Sequence, residues 1–359
     1  MERHTFMKRA LELAEKGRYT ASPNPMVGCV IVRDGEIVGE GFHQRAGEPH
    51  AEVEALRACN GSPEGCDVYV TLEPCAHFGR TPPCADALIE ARVGRVLVAT
   101  GDPHPDVDGR GLARLRDAGI AVEVGLEGSE ARRLNEKFLY SARTKRPFIL
   151  IKAGMTLDGK LASVARKSRW ITSPESRRQG LLLREEFDAI LVGSGTVQED
   201  DPELTRRLGL AGERPWTRIV VDATGDLPKE AKILADGGRT IVFTSSKFEP
   251  SAANVEAVRL PSSRGRLDLE QVLRETWARG IRSIVVEGGS LLHSEIITRN
   301  LWQKMILFVA PMVVGGASAP SIFAGEGVGE LADAHRFRFD RFEKIGPDLM
   351  VVAYPLIAE

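Results

Sequence analysis

Two α/β domains in tandem are what this sequence predicts, and three observations predict it. The 359 residues are too many for one comfortable core, so two domains are the prior expectation. Short apolar runs of buried-strand type alternate with helical segments along the whole chain, the pattern of largely parallel sheets covered by helices. At Lys145-Arg146-Pro147 that alternation closes and then restarts, which divides the chain into 1–145 and 146–359.

The elements follow in order. Phe6, Ala10, Leu13 and Ala14 share a helical face. Residues 26–43 read as a hairpin turned at Asp34-Gly35, a pair suited to positive φ. Helices are expected over 51–60, 84–91 and 111–120, strands over 67–74, 95–100 and 120–126, and one long polar-faced helix over 129–144. After the boundary, 147–163 is strand-like and 173–189 helical. Residues 189–197 read as a strand running into a Gly-Ser-Gly-Thr turn. Buried-strand runs recur at 217–224, 240–246 and 283–289, with helices over 267–280 and 291–301. The end is strand-like at 304–316 and 348–357, and Ile306–Val314 reads as a buried strand interrupted by Pro311.

Composition narrows the function classes. The chain is 43% hydrophobic and 27% charged, as in an ordinary globular enzyme. A net charge of −2 supplies no basic field for nucleic acid, so any phosphate must be held by local groups. The N-terminus is amphipathic rather than signal-like, and no run is apolar enough for a membrane helix. A cytoplasmic, reducing setting is expected, in which the cysteines at 29, 59, 66, 75 and 84 serve metal binding, catalysis or the core rather than disulfides.

Three pieces of the first domain fall at predicted element ends: His50-Ala51-Glu52, Glu73-Pro74-Cys75 and Cys84. One imidazole and two thiolates are a three-ligand set for Zn2+, leaving the fourth tetrahedral position to water. Glu52 is placed to shuttle protons to a leaving amine. The bland alternatives are a chance His-x-Glu beside two buried thiols, or a closed structural site completed by His77 or Cys66. Cys29, Cys59 and Cys66 read as core.

The His-x-Glu and Pro-Cys elements resemble the zinc-dependent nucleoside and nucleobase deaminases, whose cysteines are usually separated by two residues. Here eight residues intervene, including His77, Gly79, Arg80 and Thr81-Pro82-Pro83, which looks like the pyrimidine deaminases of riboflavin biosynthesis. That resemblance implies a cytidine-deaminase-like three-layer α/β/α domain. It also implies substrate contacts from Asn24 and His43, with His77 and Arg80 near a ribose phosphate.

The second domain has no G-x-G-x-x-G after a strand, so a Rossmann dinucleotide domain is not indicated. LVGSGTVQEDDPELTRR at 191–207 and VEGGSLLHSE at 286–295 are glycine turns that can present backbone N–H groups to phosphate. With KAGMTLDGKLA and SRWITSPESR they resemble the reductase domain of the bifunctional riboflavin-biosynthesis deaminase/reductases. The resemblance covers essentially the whole chain. It implies a dihydrofolate-reductase-like fold, NADPH as cofactor, phosphoribosylaminopyrimidine substrates and a homo-oligomer. Gly154, Trp170, Thr196, Asp200 and the run Gly289, Ser290, Leu291, Leu292, His293, Ser294 and Glu295 then lie along NADPH. Ser168, Arg184, Leu204, Arg207 and Glu287 face the substrate, with Lys152 and Asp158 near the reacting end. Arg166 stands where the family usually has glycine. Two rivals remain at this stage: a deaminase of another base fused to an unrelated reductase, and a nucleotide-binding regulatory module with structural zinc.

Overall fold

The computed structural model describes residues 2–78, 82–235, 237–250 and 252–356. The chain divides into two compact units, residues 1–146 with 210–214, and residues 147–209 with 215–359.

The first unit runs α1 (Glu2–Glu15), β1 (Gly28–Arg33), β2 (Glu36–Phe42), α2 (Ala51–Arg57), β3 (Asp67–Val70), α3 (Cys84–Glu90), β4 (Arg95–Val98), α4 (Arg110–Asp117), β5 (Ala121–Val124), α5 (Gly128–Leu134) and α6 (Glu136–Thr144). Asp34 and Gly35 take the positive φ that a twisted two-residue hairpin demands. The sheet order is β2-β1-β3-β4-β5. β1 is antiparallel to both β2 and β3, so the expected parallel arrangement holds only for β3-β4-β5. The hairpin accounts for the β1–β2 pair, since a two-residue turn can join only antiparallel strands.

Period-two alternation sends one set of side chains to each face. Cys29, Ile31, Val68, Val70, Val96 and Val98 pack under α2, α3 and α4. Val30, Val32, Tyr69 and Leu97 pack against α1 and α5. Helices therefore cover both faces. Gly28 is required here: a Cβ would lie 1.9 Å from the Ala10 carbonyl oxygen of α1.

The long helix expected over 129–144 is two helices broken at Asn135 (φ −102°, ψ 21°). Asn135 is buried. Its Oδ1 accepts from the Met26 N–H, and its Nδ2 donates to the Met26 carbonyl, both at 2.8 Å. Two buried bonds to distant backbone outweigh an unbroken helix.

The second unit runs β6 (Phe148–Thr156), α7 (Pro174–Glu186), β7 (Ala189–Gly193), α8 (Ser194–Asp200), β8 (Thr217–Asp222), α9 (Lys232–Ala235), β9 (Thr240–Thr244), β10 (Val255–Arg259), β11 (Ser262–Ser263), β12 (Arg266–Leu267), α10 (Leu269–Ala278), β13 (Ser283–Val286), α11 (Ser290–Thr298), β14 (Lys304–Ala310), β15 (Phe337–Ile345) and β16 (Asp348–Pro355). A nine-stranded sheet has the order β10-β9-β8-β7-β13-β6-β14-β16-β15. It is parallel from β10 to β14, and antiparallel at β14-β16-β15. Ile149, Ile151, Leu191, Ile219, Phe243 and Val286 of this sheet pack against α10 and α11. Ser173 caps α7 by accepting from the Ser176 N–H at 3.2 Å, with Pro174 at the first helical position.

Two expectations fail in this unit. The Gly-Ser-Gly-Thr stretch is not a turn but the start of α8. The run through Pro311 is not one buried strand, because β14 stops at Ala310 and Val313 is 69% exposed. Proline carries no N–H for the ladder, and the chain beyond it turns to Asp158, whose carboxylate accepts from the Val314 and Gly315 N–H groups.

Candidate functional site

In the first unit, three local structures bring one imidazole and two sulfurs together. His50 is the residue before α2 and Cys84 opens α3, while Cys75 lies in the loop after β3. Their ligand atoms all lie within 4.8 Å of one another. His50 Nδ1 is 3.2 Å from Cys84 Sγ and 3.5 Å from Cys75 Sγ. A zinc tetrahedron with nitrogen and sulfur ligands has edges of about 3.6 Å, so this spacing fits the ion. The chemistry of the set fits as well. The Cys84 thiol, aided by His50 and the Cys84 N–H, holds Cys75 down to about 4 against the opposing effect of burial. Cys84, hydrogen-bonded to Cys75 and buried, is pushed well above the ordinary thiol range. The two sulfurs compete for one proton, and a divalent cation removes that competition.

Among the described residues no fourth ligand joins them. His77 is exposed and stacks on His104 at 6.4 Å, and the Cys66 thiol points to the Ser62 carbonyl. Cys29 and Cys66 lie in the core, with Cys59 packed against it.

Glu52, the second residue of α2, is 3% exposed. Burial pushes its carboxyl up to about 7 against the pull of His50. Nearby, Asn24 Nδ2 donates to His43 Nε2 at 3.0 Å, and His43 Nδ1 donates to the Pro49 carbonyl at 3.1 Å. Burial lowers the His43 pKa, so the imidazole is neutral and its tautomer is set by those two partners. Its ring meets His50 edge-on, with centroids 5.2 Å apart. Arg80 lies outside the described residues.

Two residues that hold this site have no catalytic look in the sequence. Asn135 fixes the loop that carries Asn24, through Met26. Glu73 is buried, and its carboxylate accepts from the N–H groups of Asp102, Gly109, Gly111 and Leu112 at 3.0–3.3 Å, anchoring the chain just before Cys75. A polar residue interrupting a helical pattern was the available signal for Asn135.

In the second unit, the ends of β6, β7 and β13 open onto a cleft of about 990 Å3. Of the residues expected at a cofactor, Gly154, Thr196, Asp200, Gly289, Ser290, Leu291, Leu292 and Glu295 line it. So do Ser168 and Glu287 from the substrate set. Helix α11 begins at this wall behind Gly289 with no side-chain cap, leaving N–H groups for an anion.

Other expected residues lie away from the cleft wall. Trp170 is 66% exposed and stacks with the Arg177 guanidinium at 4.3 Å. His293 is buried beside the Phe323 ring, and Ser294 Oγ accepts from the Ala324 N–H at 2.7 Å. Leu204 is buried, and Arg207 is exposed and paired with Glu203. The guanidinium of Arg184 is engaged: Nε and Nη2 each lie 3.0 Å from Glu287, and Nη1 donates to the Thr205 carbonyl at 3.2 Å. Lys152, which does line the cleft, reaches the same carboxylate through Nζ at 3.3 Å. Burial alone would raise Glu287, but Arg184 and Lys152 outweigh it and hold it at about 2. Arg166 lines the cleft at φ +60°, the backbone conformation a glycine adopts freely, and pairs with Glu199 at 3.0 Å.

The fold and these two sites define a metal-binding deaminase-type unit joined to an α/β unit with a glycine-lined nucleotide cleft. The family model "Cytidine and deoxycytidylate deaminase zinc-binding region" matches residues 1–100, and "RibD C-terminal domain" matches residues 147–351. "Riboflavin biosynthesis protein RibD" of Escherichia coli (strain K12) is 44% identical, over 97% of this chain and 98% of its own. The protein of that name from Aquifex aeolicus is 41% identical, over 96% of each chain. Among solved structures, RibD of Acinetobacter baumannii superimposes with a TM-score of 0.91 at 36% identity, covering 99% of each chain. A Thermotoga maritima protein, titled a diaminohydroxyphosphoribosylaminopyrimidine deaminase/5-amino-6-(5-phosphoribosylamino)uracil reductase, gives 0.89 at 36% identity, again over 99% of each. The chain belongs to the RibD family of riboflavin biosynthesis proteins.

Proposed function

We infer that this chain is a bifunctional enzyme of riboflavin biosynthesis. Residues 1–145 deaminate 2,5-diamino-6-ribosylamino-4(3H)-pyrimidinone 5′-phosphate by hydrolysis. Residues 146–359 reduce the ribosyl group of 5-amino-6-(5-phosphoribosylamino)uracil to ribityl with NADPH. The observation that carries the reading is the pairing, on one chain, of the His50–Cys75–Cys84 cluster beside buried Glu52 with the glycine-lined cleft.

In the deaminase unit, His50, Cys75 and Cys84 would hold zinc, which would supply a water of lowered pKa. Glu52 takes a proton, delivers it to the pyrimidine ring and then helps the amino group leave as ammonia. Asn24 donates one N–H to His43, which leaves its other N–H and its carbonyl oxygen for the pyrimidine. His77 and Arg80 serve the ribose phosphate.

In the reductase unit, NADPH supplies the hydride. Gly154, Thr196, Asp200 and the start of α11 at Gly289 and Ser290 hold it, and Ser168, Leu204, Arg207 and Glu287 orient the substrate. Arg184 acts through Glu287, since its own donors are already engaged. Cytoplasmic residence, which keeps both thiolates reduced, and a homo-oligomeric assembly belong to the same proposal.

Glu52→Gln is the direct test. Deaminase turnover falls by about 10²–10⁴-fold while zinc content and reductase rate stay at wild-type values. If all three quantities are unchanged, Glu52 is not the proton carrier and the zinc is structural.

A further inference from the structure

Between Asp200 at the cleft wall and β8, the chain passes through a segment without regular structure, Glu203–Arg207. Three successive carbonyls of this segment are each taken by a different side chain. Glu203 O accepts from Arg218 Nη1 at 3.1 Å, Leu204 O from Trp216 Nε1 at 2.8 Å, and Thr205 O from Arg184 Nη1 at 3.2 Å. The donors come from two sides, Trp216 and Arg218 from the start of β8 and Arg184 from α7. Arg218 is fully buried and is itself fixed by Thr240 Oγ1 at 3.1 Å and the Gly238 carbonyl at 2.6 Å.

The opposite polarity is left open. The N–H groups of Leu204, Thr205 and Arg207 donate to nothing among the described residues. Leu204 also has φ +52°, and a left-handed residue within such a run turns successive N–H groups toward one concavity. A stretch of backbone with three successive carbonyls occupied and the N–H groups of Leu204, Thr205 and Arg207 open is complementary to an anion. The segment joins the reductase site through Arg184, which bridges Thr205 O to Glu287 in the cleft.

We propose that Trp216 and Arg218 are positioning residues for the phosphate of the reductase substrate, holding the segment with the Glu203, Leu204 and Thr205 carbonyls engaged and the N–H groups of Leu204, Thr205 and Arg207 presented to the phosphate. This rests on the reductase reading above. Neither residue touches the substrate; each acts through one backbone carbonyl.

Trp216→Phe removes the indole N–H while leaving an aromatic ring beside the Arg206 guanidinium, which the Trp216 ring covers at 4.7 Å. Reductase kinetics are measured on 5-amino-6-(5-phosphoribosylamino)uracil and on the same compound lacking its phosphate. The variant raises KM for the phosphorylated substrate by about three- to tenfold, the effect of one hydrogen bond, with kcat and the KM for NADPH unchanged. KM for the dephosphorylated compound does not move. Arg218→Met is compared through the ratio of the two KM values, which loss of folded protein does not alter, and shifts that ratio in the same direction. An equal change on both substrates, or on neither, overturns the proposal. If the wild-type chain reduces neither compound, the reductase reading itself fails, an outcome separate from failure of the variants.

Discussion

In the first unit an imidazole and two thiols stand within 4.8 Å of one another and compete for protons; in the second, a buried carboxylate sits between a guanidinium and an ammonium that neutralise it. Both sites concentrate titratable groups in a protein interior. The first is built so that a cation from outside completes it, and the second completes itself. A metal centre carries a proton it must lose before it is loaded, because the Cys84 thiol beside the Cys75 sulfur has to become a thiolate to ligate an ion. An internally paired site has its groups bonded before any ligand arrives, as Glu287 is by Arg184 and Lys152.

The largest effects separate the two designs. Removing zinc with a chelator abolishes deaminase turnover and lowers the melting temperature of the first unit, while the reductase rate is unchanged. A matching loss of reductase activity would break the comparison. Next is Glu287→Gln, which strands Arg184 as a buried cation and costs about 3–5 kcal/mol, read by chemical denaturation of the second unit. The pH dependence has a defined sign. The folded value of Glu287, about 2, lies below the roughly 4.3 of an unfolded glutamate. Its contribution is therefore complete above about pH 4.3 and is lost as pH falls toward 2. Glu287→Gln flattens that acid limb, and an unaltered limb would show that other carboxylates carry it.

Smaller changes sharpen the contrast. Asn135→Ala leaves the Met26 N–H and carbonyl unpaired, destabilising the first unit by about 1–3 kcal/mol. Deaminase KM rises through the loosened Asn24 loop, with zinc content intact. Arg166→Gly relieves a left-handed backbone and loses only an exposed ion pair, so stability rises by less than about 1 kcal/mol by thermal melting.

Much of this was legible in the sequence, and the exceptions share a cause. His50, Cys75 and Cys84 announce themselves because each stands at the end of an apolar run whose period is easy to read. The glycines of 193–195 and 288–289 mark strand ends for the same reason. What stayed hidden depends on partners far along the chain. Asn135 breaks a helix for the sake of residue 26, and β15 is an exposed edge strand without an apolar run to betray it. Arg184 carries the right chemistry for a phosphate, yet its donors are engaged by Glu287 and Thr205, a pairing that sequence distance conceals.

The Asn135–Met26 pair has a consequence for the order in which the molecule is made. It ties a loop near the start of the first unit to a residue 109 positions later. His50, Cys75 and Cys84 have all left the ribosome before that residue has. A nascent chain arrested ahead of residue 135 would thus carry the three ligands without the clasp that seats Asn24, and its deaminase pocket would close only when the last pair of helices docks.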